Sequence, residues 1–222
     1  MKEKSTKQRV LIVDDHPIVR QGITRLINFE QELVICGEAG NAKEAMEAIG
    51  KEEPELVIVD ISLKGRSGLE LIKDIKMRYE NLPVLVVSMH DESLYAERVL
   101  RAGAKGYIMK QEPPEKILDA IRQVLSGKIF VSEKMREKML QRYVLGSSQR
   151  NVSSVDQLSD RELEVFRLIG KGMGTRQIAK ELDLSIKTVE TYREHIKEKL
   201  NLENSSKLLQ YAIDWVQNEN PK

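Results

Sequence analysis

The amino-acid sequence predicts an α/β fold followed by a helical one. A doubly wound, five-stranded parallel sheet comes first, then a small all-α domain of four helices that contains a helix-turn-helix. Three observations carry this reading. Short apolar runs rich in β-branched residues recur through the first half without polar alternation, as strands buried on both faces of a parallel sheet do. Between them, apolar residues repeat at helical spacing. The last third has helix start and stop signals but no strand signal.

The first strand is Val10-Leu11-Ile12-Val13, and Ile18, Val19, Gly22, Ile23, Leu26 and Ile27 then mark a helix starting near Pro17. Leu33-Val34-Ile35-Cys36 is the second strand. Ala42, Ala45, Met46 and Ile49 line the second helix, and Pro54 closes the loop before the third strand, Leu56-Val57-Ile58-Val59. Ile72 and Ile75 mark a helix from near Gly68. Val84-Leu85-Val86-Val87 is the fourth strand, with Ala96, Val99 and Leu100 on the helix after it. Gly106-Tyr107-Ile108-Met109 is the fifth, followed by a helix carrying Ile117, Leu118, Ile121, Val124 and Leu125. Five such repeats wind right-handed into one sheet.

Residues 127–157 break the pattern. Residues 133–144 form a helix with Met135, Met139, Leu140 and Tyr143 on one side, and the polar, aperiodic run 146–154 reads as a flexible linker. Beyond it, Ser159-Asp160-Arg161-Glu162 is a capping box opening a helix with Leu163, Phe166 and Ile169 inward, ended by Gly172 and Gly174. Thr175 opens a short helix with Ile178, Ala179 and Leu182 inward. Asp183-Leu184 is a tight turn, and Ser185 caps a longer helix reaching about Leu200. Residues 206–215 form a last helix with Leu208, Leu209, Ala212, Ile213 and Val216 as its core face. Two helices joined by so short a turn match a helix-turn-helix.

Composition narrows the setting. Hydrophobic residues make up 41% of 222, enough for real cores, and 36 basic against 35 acidic side chains leave a net charge of +1. That balance excludes a basic nucleic-acid tail and an acidic disordered segment. Cys36 is the sole cysteine and has no internal disulfide partner, so it reads as a buried, inert strand thiol. His16, His90 and His195 are scattered and make no zinc pattern. With no signal peptide and no apolar run near about eighteen residues, the expected setting is soluble and cytoplasmic, away from membranes.

Four strands end on polar groups of related chemistry: Asp14-Asp15, Asp60, Ser88 and Lys110. In open parallel sheets, ligands sit outside the carboxyl ends of the strands. The endings therefore converge as three carboxylates, a hydroxyl and an ammonium. Clustered carboxylates repel one another, and a hard cation such as Mg2+ relieves the repulsion. Carboxylate, divalent metal and lysine together suit a phosphoryl group. Taken singly, Asp15 reads equally as a helix N-cap and Lys110 as a solvated lysine. Their joint occurrence, in order and each at a strand end, points to a site for phosphate acceptance.

Asp14-Asp15, Asp60, Ser88, Gly103-Ala104-Lys105-Gly106-Tyr107 and Lys110 together resemble the receiver domain of two-component response regulators, over roughly residues 8–126. The resemblance implies a flavodoxin-like sheet of strand order 2-1-3-4-5. It implies that Asp60 accepts a phosphoryl group from a sensor histidine kinase, and that Asp14, Asp15 and Asp60 hold Mg2+. Ser88 and Lys110 would contact the phosphoryl oxygens, and Tyr107 would change rotamer on activation. Family members often carry proline directly after the lysine, whereas here Gln111 follows and the prolines are Pro113 and Pro114.

At about 100° per residue, Val189, Tyr192, Ile196 and Leu200 fall on one stripe of the helix after Ser185 and are expected to be buried. Lys187, Glu190, Thr191, Glu194 and Glu198 fall opposite. In a helix-turn-helix that outer face lies in the major groove. Lys187 and Thr191 suit donation to phosphate or bases, and Glu190 or Glu194 could accept from a cytosine amino group. Residues 151–222 carry 11 basic and 12 acidic side chains, so affinity for DNA rests on local placement of Arg176, Lys187, Arg193, Lys197 and Lys207 against phosphates.

Leu158-Ser159-Asp160-Arg161-Glu162-Leu163-Glu164-Val165, Ile178-Ala179, Lys187-Thr188-Val189-Glu190-Thr191-Tyr192 and Lys199-Leu200 resemble the LuxR-type helix-turn-helix, over roughly residues 156–216. With a receiver, this makes the chain similar to the NarL/FixJ class of response regulators. That class implies a transcription factor that, once phosphorylated, dimerises and binds double-stranded promoter DNA, contacting bases from the helix containing Lys187 to Glu194. Its acidic outer face departs from members with basic or small residues there. The expected organisation is a receiver over residues 1–126, a linker holding a helix over 127–155, and the DNA-binding domain over 156–222. Two other readings stay open. A Mg2+-dependent phosphatase or phosphotransferase is disfavoured because Asp60-Ile61-Ser62 lacks a second aspartate. An adaptor that never touches DNA is consistent with the near-neutral helical domain. Beyond taking phosphate from a donor and slowly losing it, no enzymatic turnover is expected.

Overall fold

The computed structural model describes residues 7–145 and 154–219. Residues 146–153, most of the polar run read as a linker, lie outside the described residues, as do the positions flanking both ends. The chain divides into two compact units, residues 1–142 and 143–222.

In the first unit five strands alternate with helices: β1 (Gln8–Val13), α1 (Pro17–Asn28), β2 (Leu33–Ala39), α2 (Ala42–Glu52), β3 (Leu56–Val59), α3 (Gly68–Arg78), β4 (Val84–Ser88), α4 (Glu92–Ala102), β5 (Gly106–Met109) and α5 (Pro114–Leu125). The sheet is wholly parallel with order β2-β1-β3-β4-β5. Val10, Ile12, Leu56, Ile58, Leu85 and Val87 share one core with Ile23 and Ile27 of α1 and with Ile117, Ile121 and Val124 of α5. The alternate residues Leu11, Val13, Val57, Val59 and Val86 are equally buried, toward the opposite face. Burial on both faces is why these runs show no polar alternation.

Cys36 is half-buried, not buried, because β2 is the edge strand and leaves one side partly open. Burial still pushes its thiol pKa up, so it holds its proton.

The start of the expected linker is packed. Phe130 pairs in parallel with Gly106 at the free edge of β5: Phe130 N donates to Lys105 O at 3.0 Å, and Tyr107 N donates to Phe130 O at 2.9 Å. Ser132 N donates to Glu92 Oε1 on α4 at 2.7 Å. These bonds lead into α6 (Glu133–Leu145), whose Met135 is buried and whose Lys138 Nζ donates to Ser93 O at 3.3 Å. Of the apolar side expected of this helix, Met135 is buried, Met139 half-buried and Leu140 58% exposed, and the Tyr143 side chain lies outside the described residues.

The second unit holds a 3-10 turn (Ser154–Gln157), α7 (Asp160–Gly170), α8 (Thr175–Glu181), α9 (Ile186–Leu200) and α10 (Ser205–Glu219). The capping box forms as expected: Ser159 Oγ accepts from Glu162 N, and Glu162 Oε2 accepts from Ser159 N at 2.7 Å. Leu163, Phe166, Ile169, Ile178, Val189, Ile196, Leu208 and Ala212 are buried, and Phe166 packs against Trp215 with ring centroids 5.5 Å apart. Helix α7 runs to Gly170 and is ended, as expected, by Gly172, whose φ of 81° lets Met173 N donate to Leu168 O at 3.0 Å; Gly174 is instead the N-cap of α8. A Cβ on Gly170 would lie 2.4 Å from Ala212 O, so α10 approaches α7 closely there. That close approach runs along Leu208 and Ala212 and leaves Leu209 41% exposed, contrary to its expected core position. Ile213 and Val216 of α10 and Leu182 at the end of α8 are half-buried, not fully buried.

Candidate functional site

The carboxyl edge of the sheet brings the strand endings together. Backbone pairing runs up to the site: Asp14 N donates to Ala39 O at 3.1 Å, Asp60 N to Val13 O at 2.9 Å, and Lys110 N to Ser88 O at 2.8 Å. Asp14 and Asp60 follow β1 and β3, between which the strand order reverses, the place where open α/β sheets form a ligand crevice.

Ser88 Oγ donates to Asp60 Oδ1 at 2.8 Å, and Lys110 Nζ donates to Asp60 Oδ2 at 2.7 Å. The same ammonium lies 2.5 Å from Asp14 Oδ2. Asp14, Asp60 and Ser88 are all buried, and the Lys110 side chain is 9% exposed. Burial pulls the Lys110 pKa down, but the charge of Asp60 and the hydrogen bonds to Asp14 and Asp60 outweigh it, and the net shift is upward. Lys110 is therefore held as a cation between two carboxylates, not solvated at the surface.

Three carboxylates against one ammonium leave a local excess of negative charge. Asp15 Oδ1 is buried with no hydrogen-bond donor in line; His16 Nδ1 comes within 2.7 Å of it but is poorly directed for a bond. The N-cap of α1 is His16, so Asp15 does not serve as the cap. Donor atoms of Asp14, Asp15, His16 and Asp60 all lie within 4.8 Å of one another. A hard oxygen-rich set of this kind fits Mg2+.

Four residues of the pocket escaped sequence reasoning. A Cβ on Gly68 would sit 2.1 Å from Asp60 O, so only glycine lets α3 start against the backbone of Asp60. His16 contributes its ring at the rim; its place directly after Asp15 was the available signal. Ser62 Oγ and His90 Nε2 are 2.7 Å apart, and the His90 ring stacks on Tyr95 at 4.9 Å. Each stands two residues after Asp60 or Ser88, but nothing in the sequence pairs them. Tyr107 is fully buried, and its hydroxyl donates to His90 O at 2.7 Å, so the ring points inward here. Burial, with the nearby charges, raises the Tyr107 pKa far above the usual phenol range.

In the second unit, α8, a turn with Asp183 at φ 52° and α9 form the helix-turn-helix. Ser185 caps α9, accepting from Thr188 N at 3.0 Å. Val189, Ile196 and Leu200 are buried as expected, while Tyr192, at the margin of the stripe, is half-buried. Lys187, Glu190, Thr191, Glu194 and Glu198 are exposed along one face, as are Arg176 on α8 and Lys207 on α10. Arg193 and Lys197 are half-buried, and Lys197 Nζ pairs with Glu194 Oε2 at 2.8 Å. Thr191 Oγ1 donates to Lys187 O at 3.0 Å, so its proton is already committed. Glu162 Oε2 accepts from Lys199 Nζ at 2.6 Å and ties α9 to α7. Its burial favours the neutral acid, but Lys199 and Ser159 outweigh that and hold the carboxyl below the usual range.

Comparison with known proteins agrees with this geometry. Residues 10–122 match the response regulator receiver domain, and residues 156–212 match the luxR family of bacterial regulatory proteins. The oxygen regulatory protein NreC of Staphylococcus carnosus (strain TM300) is 36% identical over 209 residues, 92% of this chain and 96% of that protein. The RcsB response regulator of Salmonella typhimurium superposes with a TM-score of 0.71 at 27% identity, covering 94% of this chain and 98% of RcsB. RcsB from Salmonella enterica serovar Typhimurium bound to promoter rprA with the phosphomimetic BeF3- gives 0.66 at 28%, covering 94% and 99%. Among the described residues no helix is long and apolar enough to cross a membrane. With a receiver over the pocket just described and a LuxR-type module over the helix-turn-helix, the chain belongs to the NarL/FixJ class of response regulators, a family of transcription regulators and not of enzymes.

Proposed function

We propose that Asp60 accepts a phosphoryl group and that this event controls promoter binding by α9. The observation that carries the reading is the arrangement around Asp60: Ser88 on one carboxylate oxygen and Lys110 on the other, with Asp14 beside the lysine. A receiver implies a histidine kinase as donor. An oxygen of Asp60 attacks phosphorus, the P–N bond of the donor's phosphohistidine breaks, and the departing nitrogen keeps the electron pair and takes up a proton. Asp14, Asp15 and Asp60 would hold Mg2+, which would supply positive charge to offset that on the phosphoryl oxygens. Ser88 and Lys110 move from the carboxylate oxygens to those of the new phosphoryl group.

The added charge, about −1.5 to −2, draws Ser88 inward and vacates space for the Tyr107 ring. Tyr107 then gives up its bond to His90 O. That backbone segment leads to Glu92, which holds Ser132, while Tyr107 N holds Phe130. The linker helix α6 thus feels the pocket through two direct bonds. We assign residues 1–126 to the receiver, 127–155 to the linker and 156–222 to the DNA-binding domain, in a cytoplasmic protein. Phosphorylation dimerises the chain, as two copies on inverted half-sites about one helical turn apart supply by avidity what near-neutral charge does not. RcsB dimers bound to DNA support this mode. Arg176, Lys187, Arg193, Lys197 and Lys207 meet phosphates or base edges.

Intact-mass measurement with acetyl phosphate tests the assignment. The wild type gains one phosphoryl group in Mg2+ and none in excess chelator, and Asp60→Asn gains none in either. Equal labelling of Asp60→Asn would move the acceptor elsewhere.

A further inference from the structure

The outward face of α9 is not uniformly available to DNA. Lys187, Glu190, Thr191 and Glu194 stand at i, i+3, i+4 and i+7, and each is exposed. Glu194 is engaged by Lys197 on its own helix. The Thr191 hydroxyl donates to the Lys187 carbonyl, which leaves its methyl and an acceptor lone pair for a ligand. Glu190 alone of the two upstream acids has no hydrogen bond or ion pair among the described residues. A carboxylate without a cation beside it repels the phosphate backbone, so its presence near the N-terminal end of the groove-facing helix opposes non-specific binding.

Base-edge chemistry identifies what offsets this. An ionised carboxylate only accepts hydrogen bonds. In the major groove guanine shows two acceptors, thymine an acceptor and a methyl, and adenine an acceptor beside its amino donor. Cytosine shows an amino donor without an adjacent acceptor, and it alone suits an acceptor-only side chain. A threonine methyl suits the thymine methyl. We propose that Glu190 reads the amino group of a cytosine and that Thr191 packs its methyl on a neighbouring thymine, making the two the specificity-determining pair of α9. The proposal rests on the DNA-binding reading above.

Selection from a random duplex pool with the full-length chain, treated with acetyl phosphate and Mg2+, tests it. The wild type enriches a cytosine with a thymine beside it. Glu190→Gln, which can both donate and accept, moves the preference at that position from cytosine to adenine by about tenfold. Glu190→Ala loses discrimination there, yet its affinity for random duplex rises about two- to threefold at low salt, a gain that vanishes at high salt. Thr191→Val keeps the thymine preference and Thr191→Ser loses it. Glu198→Ala, farther along the same face, raises random-duplex affinity without changing any base preference. Base preferences unchanged in both Glu190 variants would overturn the proposal. So would Glu190→Ala weakening random and selected duplexes in parallel, the outcome of a role in positioning the helix. A wild type that binds no duplex even at low salt would overturn the DNA-binding reading and this proposal with it.

Discussion

The Asp60 pocket and the outward face of α9 are built on opposite principles. In the pocket, backbone pairing delivers Asp14, Asp60, Ser88 and Lys110 to a buried edge, and their polar groups meet at 2.5 to 2.8 Å. On the outward face of α9, Lys187, Glu190, Thr191 and Glu194 stand exposed, with little to hold them but their neighbours on the same helix. A buried, low-dielectric site makes each group expensive to alter. An exposed face at near-neutral charge distributes a modest affinity over several side chains that can change one at a time. One receiver chemistry can in this way serve many different promoters.

The contrast is sharpest at Lys110. Lys110→Met removes the cation between two buried carboxylates, and acetyl phosphate labelling should slow about a hundredfold, read by intact mass over time. A loss below about threefold would mean that the pocket tolerates change as a surface does. Ser88→Ala comes next. It should still be labelled, but the phosphorylation-dependent gain in DNA affinity should shrink about tenfold, measured by mobility shift. Full gain in this variant would uncouple Ser88 from the switch.

The bond between pocket and linker gives a smaller effect. Glu92→Ala frees Ser132 N without touching the acceptor, so labelling should be normal while the gain in DNA affinity falls about three- to fivefold. Amide hydrogen exchange across residues 130–138 should speed up in this variant; unchanged protection there would show that the Glu92 bond does not anchor α6. On the α9 side, Lys187→Ala should weaken random and selected DNA alike by a few fold and lower the salt slope by about one. An unchanged slope would remove Lys187 from the phosphate contacts.

Acid and alkali separate the two units. The folded-state pKa of Lys110 is raised, so its pairing stabilises fully below the ordinary lysine value of 10.5 and is lost only as pH climbs through the raised value. Glu162 is lowered in the folded state, so its contribution is present above the ordinary 4.5 and is lost as pH falls through the lowered value. Glu162→Gln should flatten the acid limb of thermal unfolding and Lys110→Met the alkaline limb, each leaving the other limb alone.

The strand ends were legible because an apolar run that stops at Asp14, Asp60, Ser88 or Lys110 reports both the strand and what it aims at the edge. Strand order was implied by resemblance, not by spacing. What stayed hidden depends on approach between distant segments. Gly68 reads as a helix start until its distance to Asp60 O is known. Phe130 looks like part of a linker until it pairs with Gly106. The Ser62–His90 contact joins two loops that no local pattern connects. For α9 and α10 the 100° rule gave the direction of the stripe but not the width of what covers it, so Tyr192 and Leu209 fell at its margins.

The central claim is that chemistry at Asp60 sets the affinity of α9 for DNA. Fluorescence anisotropy of a selected duplex, titrated with full-length chain with and without acetyl phosphate and Mg2+, tests it most directly. The wild type should bind about tenfold or more tightly once phosphorylated, and Asp60→Asn should show the weaker affinity under every condition. A phosphodonor response in Asp60→Asn equal to that of the wild type would contradict the account.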